Sequence, residues 1–200
     1  SHTGVNIRLR SLHNNWQELK EILRSIRNEL GVIIYSECDN SLAGVTGKML
    51  TEKKLTLSIA ESCTGGLISK LMTDEAGSSA YLKGSITAYH NDLKTELLQI
   101  PDSILKKHGA VSPETAERMA VNMRRLSGSD LAISTTGISG PGGGSEEKPV
   151  GLVYVGIAGE KSSAVKKYIF PNNRETHRER TAAAAINLLR LLLLEDYSSI

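Results

Sequence analysis

The sequence predicts an α/β fold with three layers, in which a mixed β-sheet carries helices on both faces and is preceded by a small incomplete β-α-β unit. Short apolar runs alternate with segments of helical periodicity, which favours parallel strands joined by helices. The last two apolar runs flank a Gly-Glu turn typical of a hairpin, which adds antiparallel strands. A content of 40% hydrophobic and 23% charged residues is typical of a globular chain.

The first 40 residues account for the incomplete unit. Residues 5–9 alternate apolar and charged side chains, residues 14–30 have helical spacing, and residues 32–35 form a short apolar run. So small a unit cannot bury enough surface to be stable alone. It is either an appendix to the main domain or the tail of a preceding one, and we favour the tail. Ser1-His2 is typical of residues left by cloning, and we expect the chain to begin within a longer protein.

The main domain is predicted over residues 41–200. Each element follows from apolar spacing and from the turn residues that bound it. In chain order they are a helix from residue 41, a strand at 55–60, a helix opened by Gly65-Gly66, a strand at 85–89, a helix at 91–98, a helix after Ser112, a strand at 130–136, a glycine-rich loop at 139–149, hairpin strands at 150–158 and 164–170, and a final helix at about 174–195.

Two of these helices carry specific signals. In the helix at 91–98, Leu93, Leu97 and Leu98 mark a buried face, and Lys94 lies off it. The helix after Ser112 has an N-cap serine followed by proline, and a glycine closes it.

Composition and charge exclude several functional classes. A net charge of +2 creates no field typical of a nucleic-acid binder. Cys38 and Cys63 lack the spacing of metal ligands or of a disulfide scaffold, so we expect no metal and a reducing cytoplasm. The apolar run at 188–194 contains Arg190 and is too short to cross a bilayer, so no membrane partner is expected. Its leucines at 191–194 suggest a homodimer surface.

The segment Glu61-Ser62-Cys63-Thr64-Gly65-Gly66 places a serine where a strand turns into a helix. The amides that follow would face outward at the positive end of that helix. Such a turn can present a nucleophilic hydroxyl beside an oxyanion hole, or it can bind a phosphate. Gly-Gly turns that do neither are also common, so a second group is needed to decide.

A serine nucleophile requires a base. His90, His108 and His177 lack the flanking features of a triad and are interpreted as surface residues. Lys94 follows a strand end, where burial could lower its pKa toward neutrality, although a solvated helix lysine is the competing interpretation. Cys63 is a second candidate nucleophile, without an identifiable histidine partner.

Two further segments could bind a polar ligand. Residues 135–144 offer hydroxyls and unhindered amides suited to a sugar, a phosphate or an amide, or they form a mobile loop. Arg174 and Arg178 lie one turn apart near a helix start, where an anion would offset their charge. A solvated charged face is the alternative.

Four segments together resemble the C-terminal domain of the CinA family, whose stand-alone relatives are nicotinamide mononucleotide (NMN) deamidases. The resemblance covers residues 41–194 and implies an amidohydrolase that converts NMN and water to nicotinic acid mononucleotide and ammonia in pyridine nucleotide salvage, with no cofactor. The segments are Ala-Glu-Ser-Cys-Thr-Gly-Gly at 60–66, Tyr89-x-Asn91-x-x-Lys94, Gly-Ala-Val-Ser at 109–112, and the stretch from Thr136-Gly137 to Gly151.

The resemblance also implies roles for individual residues. Ser62 matches the family's nucleophile and Lys94 its general base, and Tyr89 is similar to a tyrosine that assists them. Amides of residues 64–66 would hold the oxyanion, whereas Thr136, Gly137 and one of two arginines would handle the ribose phosphate. The implied substrate-binding set is Cys63, Thr64, Gly65, Gly66, Asn91, Thr136, Gly137, Arg174 and Arg178. Asn172-Asn173-Arg174 departs from the Gly-Asp-Arg of many relatives, which puts the geometry of the arginine pair in question.

Residues 1–40 resemble the end of the middle, KH-like region of CinA proteins. The parent protein would then carry a further N-terminal domain similar to molybdopterin-binding and nucleotide-pyrophosphatase proteins. The chain has no Gly-x-x-Gly loop and no basic stripe, so we expect NMN rather than RNA as its partner. The alternative to an enzyme is a non-catalytic nucleotide-binding or regulatory domain of a competence- or damage-inducible protein.

Overall fold

The computed structural model describes residues 4–171 and 173–195. Five strands and seven α-helices are found in these residues, together with short 3-10 turns at Gly31–Ile33 and Ser78–Ala80. The strands are β1 Leu57–Glu61, β2 Leu82–Thr87, β3 Leu131–Gly137, β4 Leu152–Ala158 and β5 Ser163–Ile169, and the helices are α1 Trp16–Leu30, α2 Leu42–Glu52, α3 Leu67–Thr73, α4 Asn91–Glu96, α5 Asp102–His108, α6 Pro113–Ser127 and α7 Arg174–Leu194.

The strands form one mixed sheet in the order β2-β1-β3-β4-β5. β1 pairs in parallel with β2 and β3, whereas β3, β4 and β5 pair antiparallel. Glu61 at the end of β1 lies opposite Thr87 of β2 and Thr135 of β3. The carboxyl ends of the three parallel strands therefore meet at one edge, which is where ligands bind in open α/β sheets.

Helices cover both faces of this sheet, as the sequence predicts. Helices α2, α3 and α7 pack on one face, where Ile59 and Ile133 meet Ile186 of α7. Helices α5 and α6 pack on the other face, where Ala60 and Ala132 belong to the core. Neighbouring strand residues face opposite sides, so β1 and β3 contribute to both cores.

The final helix α7 mainly builds the core. Leu189 and Leu193 are buried, and Leu192 packs against the same cluster, which leaves Leu194 exposed. The leucine run that suggests a dimer surface in the sequence is thus largely covered by this chain itself. In the described part of the chain, no helix is long and apolar enough to span a membrane.

The predicted β-α-β unit is wrong in its strands. Residues 5–9 and 32–35 adopt no strand conformation, and only α1 forms as expected. A strand needs a neighbour to satisfy its backbone groups, and these residues lie against none. Gly31 instead ends α1 with a positive φ of 49° and begins a 3-10 turn. The predicted scar at residues 1–2 lies outside the described residues.

The main-domain elements otherwise follow the prediction, with one helix missed. Pro101, which breaks the apolar pattern after α4, is also the N-cap of α5. A proline cannot continue a helix but is well suited to the start of the next one. Ser112 caps α6 by accepting a hydrogen bond from the Thr115 amide, and Gly128 ends that helix, as predicted.

Candidate active site

Ser62 lies directly beyond β1 at the shared edge of the parallel strands. Its amide donates to the Thr135 carbonyl over 3.0 Å, which extends the pairing of β1 with β3 by one residue. The residue is buried, and its hydroxyl has no hydrogen-bond partner among the described residues. The Ser62 hydroxyl is not among the fully buried polar atoms, and an accessible hydroxyl without a partner is free to react with, or to bind, a ligand.

The turn after Ser62 is held in a defined shape. The Gly65 amide donates to the Ser62 carbonyl over 3.1 Å, and the Thr64 hydroxyl meets the Thr135 hydroxyl at 2.8 Å. Gly65 and Gly66 have φ values of 60° and 90°, which favour glycine. The amides of Thr64 and Gly66 have no acceptor within the described residues. Together with the Cys63 amide, which also has no oxygen acceptor in the described residues, they are the donors in this turn that could hold an oxyanion.

Glu61 is a buried carboxylate that lies within the motif at 60–66 but for which the sequence predicts no role. Its oxygens accept hydrogen bonds from the Ile68 amide (3.1 Å), the Ser69 amide (2.9 Å) and the Ser69 hydroxyl (2.9 Å). These amides belong to the first turn of α3. The start of α3 is therefore occupied by a protein carboxylate, which argues against a phosphate site at these amides.

Lys94 is buried, with 1% of its surface exposed, contrary to the prediction that it lies off the buried face of its helix. Its Nζ donates to the carbonyls of Ala88 (2.9 Å) and Tyr89 (3.2 Å), just beyond β2. These bonds draw the side chain inward, whereas Leu97 is 47% exposed. Burial lowers the Lys94 pKa from 10.5, and the nearby Cys63 thiol partly opposes this shift.

Ser62 and Lys94 approach the same edge from adjacent strands. The Ala88 amide donates to the carbonyl of Glu61, the residue before Ser62, over 2.9 Å. The Ala88 carbonyl in turn accepts from Lys94 Nζ. A buried amine thus lies beside the end of β1, next to the serine turn. No hydrogen bond joins Lys94 Nζ to the Ser62 hydroxyl among the described residues, so the two groups are neighbours at this edge without direct contact.

Cys63 is not poised to react. Burial raises the pKa of its thiol to about 12, and hydrogen bonds within the turn and to Thr135 only partly offset this effect. A thiol with such a pKa is protonated near neutral pH, and the thiolate is the reactive form. Of the two candidate nucleophiles, the structure favours Ser62.

Arg174 and Tyr89 join two loops across this edge. Arg174 donates from Nη2 to the Tyr89 hydroxyl over 2.7 Å and from Nη1 to the Gly140 carbonyl over 3.1 Å. Both side chains are exposed. Arg178, one turn later, donates from Nε (3.2 Å) and Nη2 (2.8 Å) to the Thr64 carbonyl. The two arginines therefore have different neighbours: Arg174 contacts Tyr89 and Gly140 on the exposed edge, and Arg178 contacts the serine turn.

Three other residues that were predicted to bind the substrate have no hydrogen bond to the serine turn among the described residues. The Thr136 hydroxyl donates to the Ala110 carbonyl over 2.6 Å, on the side of β3 away from the serine turn, so that Thr135 is the threonine facing that turn. At Gly137 an added Cβ would lie 2.6 Å from the Leu152 carbonyl oxygen, which indicates a steric role. Asn91 is exposed at the start of α4 and lines a depression with Asp102 and Lys106.

None of His90, His108 and His177 donates to or accepts from Ser62 in the described part of the chain. His90 is exposed and His108 half-buried, whereas His177 is fully buried, so its interpretation as a surface residue is wrong. His177 Nε2 lies 3.2 Å from the Gly151 carbonyl, and burial lowers its pKa below 6.5. No group of three or more metal-binding side chains occurs within residues 4–171 and 173–195.

The sequence of the chain is similar to those of known proteins. The family described as CinA C-terminal domain matches residues 39–193. A CinA-like protein of Desulfotalea psychrophila is 43% identical over 173 residues, which cover 86% of this chain and 42% of that protein. A putative competence-damage inducible protein of Caldanaerobacter subterraneus is 44% identical over 178 residues, or 89% of this chain and 43% of its own length. The chain thus spans less than half the length of these relatives.

Solved structures with the same fold carry similar descriptions. The competence/damage inducible protein CihA of Agrobacterium tumefaciens superposes with a TM-score of 0.72 at 33% identity, covering 80% of this chain and 100% of that one. The competence damage-inducible protein A of Klebsiella pneumoniae gives a TM-score of 0.75 at 26% identity, covering 78% and 99% of the two chains.

Proposed function

The chain belongs to the family of CinA C-terminal domains, and from this premise we propose that it is an amidohydrolase converting nicotinamide mononucleotide and water to nicotinic acid mononucleotide and ammonia. The observation that carries the proposal is that a serine hydroxyl without a hydrogen-bond partner and a buried lysine lie at adjacent strand ends. The sequence resemblance supplies the substrate, and the geometry supports acyl transfer.

In the proposed reaction, neutral Lys94 takes the proton of Ser62 as Oγ attacks the carboxamide carbon. The amides of Thr64 and Gly66 stabilise the oxyanion that forms on the carbonyl oxygen. The C–N bond then breaks, and the departing nitrogen receives the proton from Lys94 and leaves as ammonia. Water attacks the resulting ester, Lys94 accepts its proton, and Ser62 is released with that proton as the acid product leaves.

The surroundings of Lys94 suit a base. Its described partners are the Ala88 and Tyr89 carbonyls, which accept hydrogen bonds from a neutral amine as well as from an ammonium group. A neutral amine that donates both hydrogens to these carbonyls keeps its lone pair for a proton. The cationic pyridinium ring of the substrate makes the carbonyl more electrophilic, so a modest base suffices.

Arg174 is the proposed ligand of the substrate phosphate. Its guanidinium is held by two neutral acceptors, the Tyr89 hydroxyl and the Gly140 carbonyl. A phosphate offers stronger, charge-assisted hydrogen bonds and would replace them. Arg178 is already engaged with the Thr64 carbonyl and supports the turn instead. Arg174→Ala is therefore expected to raise KM more than it lowers kcat.

The test is ammonia release from NMN by the wild-type chain and by Ser62→Ala and Lys94→Ala. The serine change should lower kcat at least about a thousandfold, and the lysine change by about 10²–10⁴-fold. Ser103→Ala and Lys107→Ala, at exposed positions of α5, are matched controls and should keep full activity. Undiminished turnover in either site variant contradicts the serine–lysine pair. Stabilisation by NMN without ammonia release would favour a non-catalytic nucleotide-binding domain.

A further inference from the structure

The Glu61 carboxylate is buried without a cationic partner. Glu61 is fully buried, and no salt bridge reaches it from the described residues. Its hydrogen bonds come from the Ile68 amide and from the amide and hydroxyl of Ser69. Burying a charge is costly unless hydrogen bonds or dipoles offset it. A carboxylate buried at this position is therefore a candidate for a role beyond packing.

The charge of Glu61 faces the positive end of α3. Gly66, the N-cap of that helix, has no side chain with which to satisfy the first amides. Glu61, at the end of β1, caps these amides instead. Its oxygens accept hydrogen bonds from the amides at the second and third positions of α3. A phosphate approaching the same amides would meet a carboxylate. The phosphate is thereby directed away from α3.

Glu61 also joins the two ends of the turn that carries the nucleophile. It immediately precedes Ser62, and its side chain binds Ile68 and Ser69 just after the turn. The middle of the turn is fixed separately, through the Thr64 hydroxyl to Thr135. With both ends and the middle fixed, the backbone of Ser62 has a defined position relative to the free amides.

We propose that Glu61 is a positioning residue, whose carboxylate closes the 62–66 turn onto α3 and keeps the Ser62 hydroxyl and the amides of Thr64 and Gly66 in one arrangement for acyl transfer. The proposal rests on the amidohydrolase function proposed above. It differs from a purely structural role because it concerns the reactivity of Ser62 in the folded protein as well as stability.

The kinetic test compares Glu61→Gln with Ser69→Ala. A glutamine amide accepts one backbone N–H but turns its own NH₂ toward the other, so the turn shifts. We expect kcat for ammonia release from NMN to fall about tenfold or more, since a misplacement of about 1 Å can cost a hundredfold, with KM changed less than about twofold. Ser69→Ala removes one bond and keeps both amide bonds, so its kcat should fall less. A folded Glu61→Gln with wild-type kcat overturns the proposal.

A second measurement is independent of the substrate. Phenylmethanesulfonyl fluoride labels an activated serine: the Oγ–S bond forms, fluoride leaves, and the base takes the hydroxyl proton. Intact-mass spectrometry should show labelling of wild type, none of Ser62→Ala, and labelling of Glu61→Gln slowed about tenfold. This result supports the role of Glu61 even if NMN is not hydrolysed, in which case only the proposed function fails. Equal labelling rates in folded wild type and Glu61→Gln overturn the positioning role.

Thermal unfolding shows whether Glu61→Gln folds and can therefore be used in the labelling experiment. If Glu61→Gln does not fold, the labelling rate of Ser69→Ala is compared with wild type below its unfolding transition. Slower labelling of Ser69→Ala supports positioning through this hydrogen-bond cluster. An unchanged rate together with a lowered Tm shows that the cluster serves stability alone, and the proposal is wrong.

Discussion

At the scale of single residues, the buried position of Lys94 depends on the groups that surround its side chain. Apolar spacing assigns it to the outer side of α4, yet hydrogen bonds to two strand-end carbonyls draw it into the interior. The sequence indicates a lysine near a strand end, but not that its Nζ returns to that end. The sequence also does not show which of Thr135 and Thr136 faces the serine turn. Strand alternation places the two side chains on opposite faces of the sheet, but it does not show which face holds Ser62.

The pH dependence of the reaction follows from the Lys94 pKa. Burial holds this pKa below 10.5, and the neutral amine is the form that accepts the serine proton. As pH falls through the lowered pKa, Lys94 becomes charged and kcat/KM should fall about tenfold per pH unit. Measurement of ammonia release over the range in which circular dichroism shows a folded chain gives the midpoint. A midpoint at or above that of an ordinary lysine contradicts the role of Lys94.

At the scale of elements, the loop between β3 and β4 is anchored rather than free. The Ile138 amide donates to Leu152 and the Gly151 amide to Ile138, each over 2.8 Å. Lys148 Nζ donates to the His108 carbonyl over 2.7 Å and ties the far part of the loop to the end of α5. These hydrogen bonds hold both ends of the loop, and the binding of a polar ligand by residues 135–144 stays a prediction.

A substitution at Gly137 tests whether this residue contacts a ligand or allows β3 and β4 to pack closely. An alanine Cβ there would meet the Leu152 carbonyl oxygen at 2.6 Å and Val153 at 2.9 Å, so β3 and β4 would have to separate. We expect Gly137→Ala to cost about 1–3 kcal/mol of unfolding free energy. Gly142→Ala is the matched control, because an added Cβ there meets nothing within 4 Å. A raised KM for NMN at unchanged stability would instead make Gly137 a ligand contact.

The elements that were predicted correctly have clear local signals. The wrong predictions occur where a local signal is ambiguous or is not sufficient. The Ser112 cap, the Gly65-Gly66 turn and the hairpin each depend on a few adjacent residues, so the sequence specifies them directly. Helix α5 was missed because Pro101 both ends one helix and begins another. The strands expected at 5–9 and 32–35 failed because strand formation requires a partner elsewhere in the chain.

At the scale of the whole molecule, the first 40 residues and the main domain are built differently. Helix α1 buries no side chain, and Trp16 at its start is 71% exposed. A contact that joins this region to the main domain runs from Arg190 Nη2 of α7 to the Val32 carbonyl over 2.7 Å. Arg190 is buried, and burial lowers its pKa. The candidate site draws instead on the ends of β1 and β2 and the start of α7.

Removal of residues 1–40 should therefore leave the proposed activity unchanged. The matched family region begins at residue 39, and the site residues Ser62, Lys94 and Arg174 have no described contact with the removed segment. Arg190 loses the Val32 carbonyl but gains water, at a cost of about 1 kcal/mol, or about 2–4 °C in Tm for a chain of this size. We expect kcat/KM for ammonia release from NMN to stay within about twofold of the full chain. Calorimetry and the ammonia assay measure both quantities. A truncated chain that folds but has lost turnover would show that residues 1–40 take part in the site, whereas an unfolded one would make them part of the core.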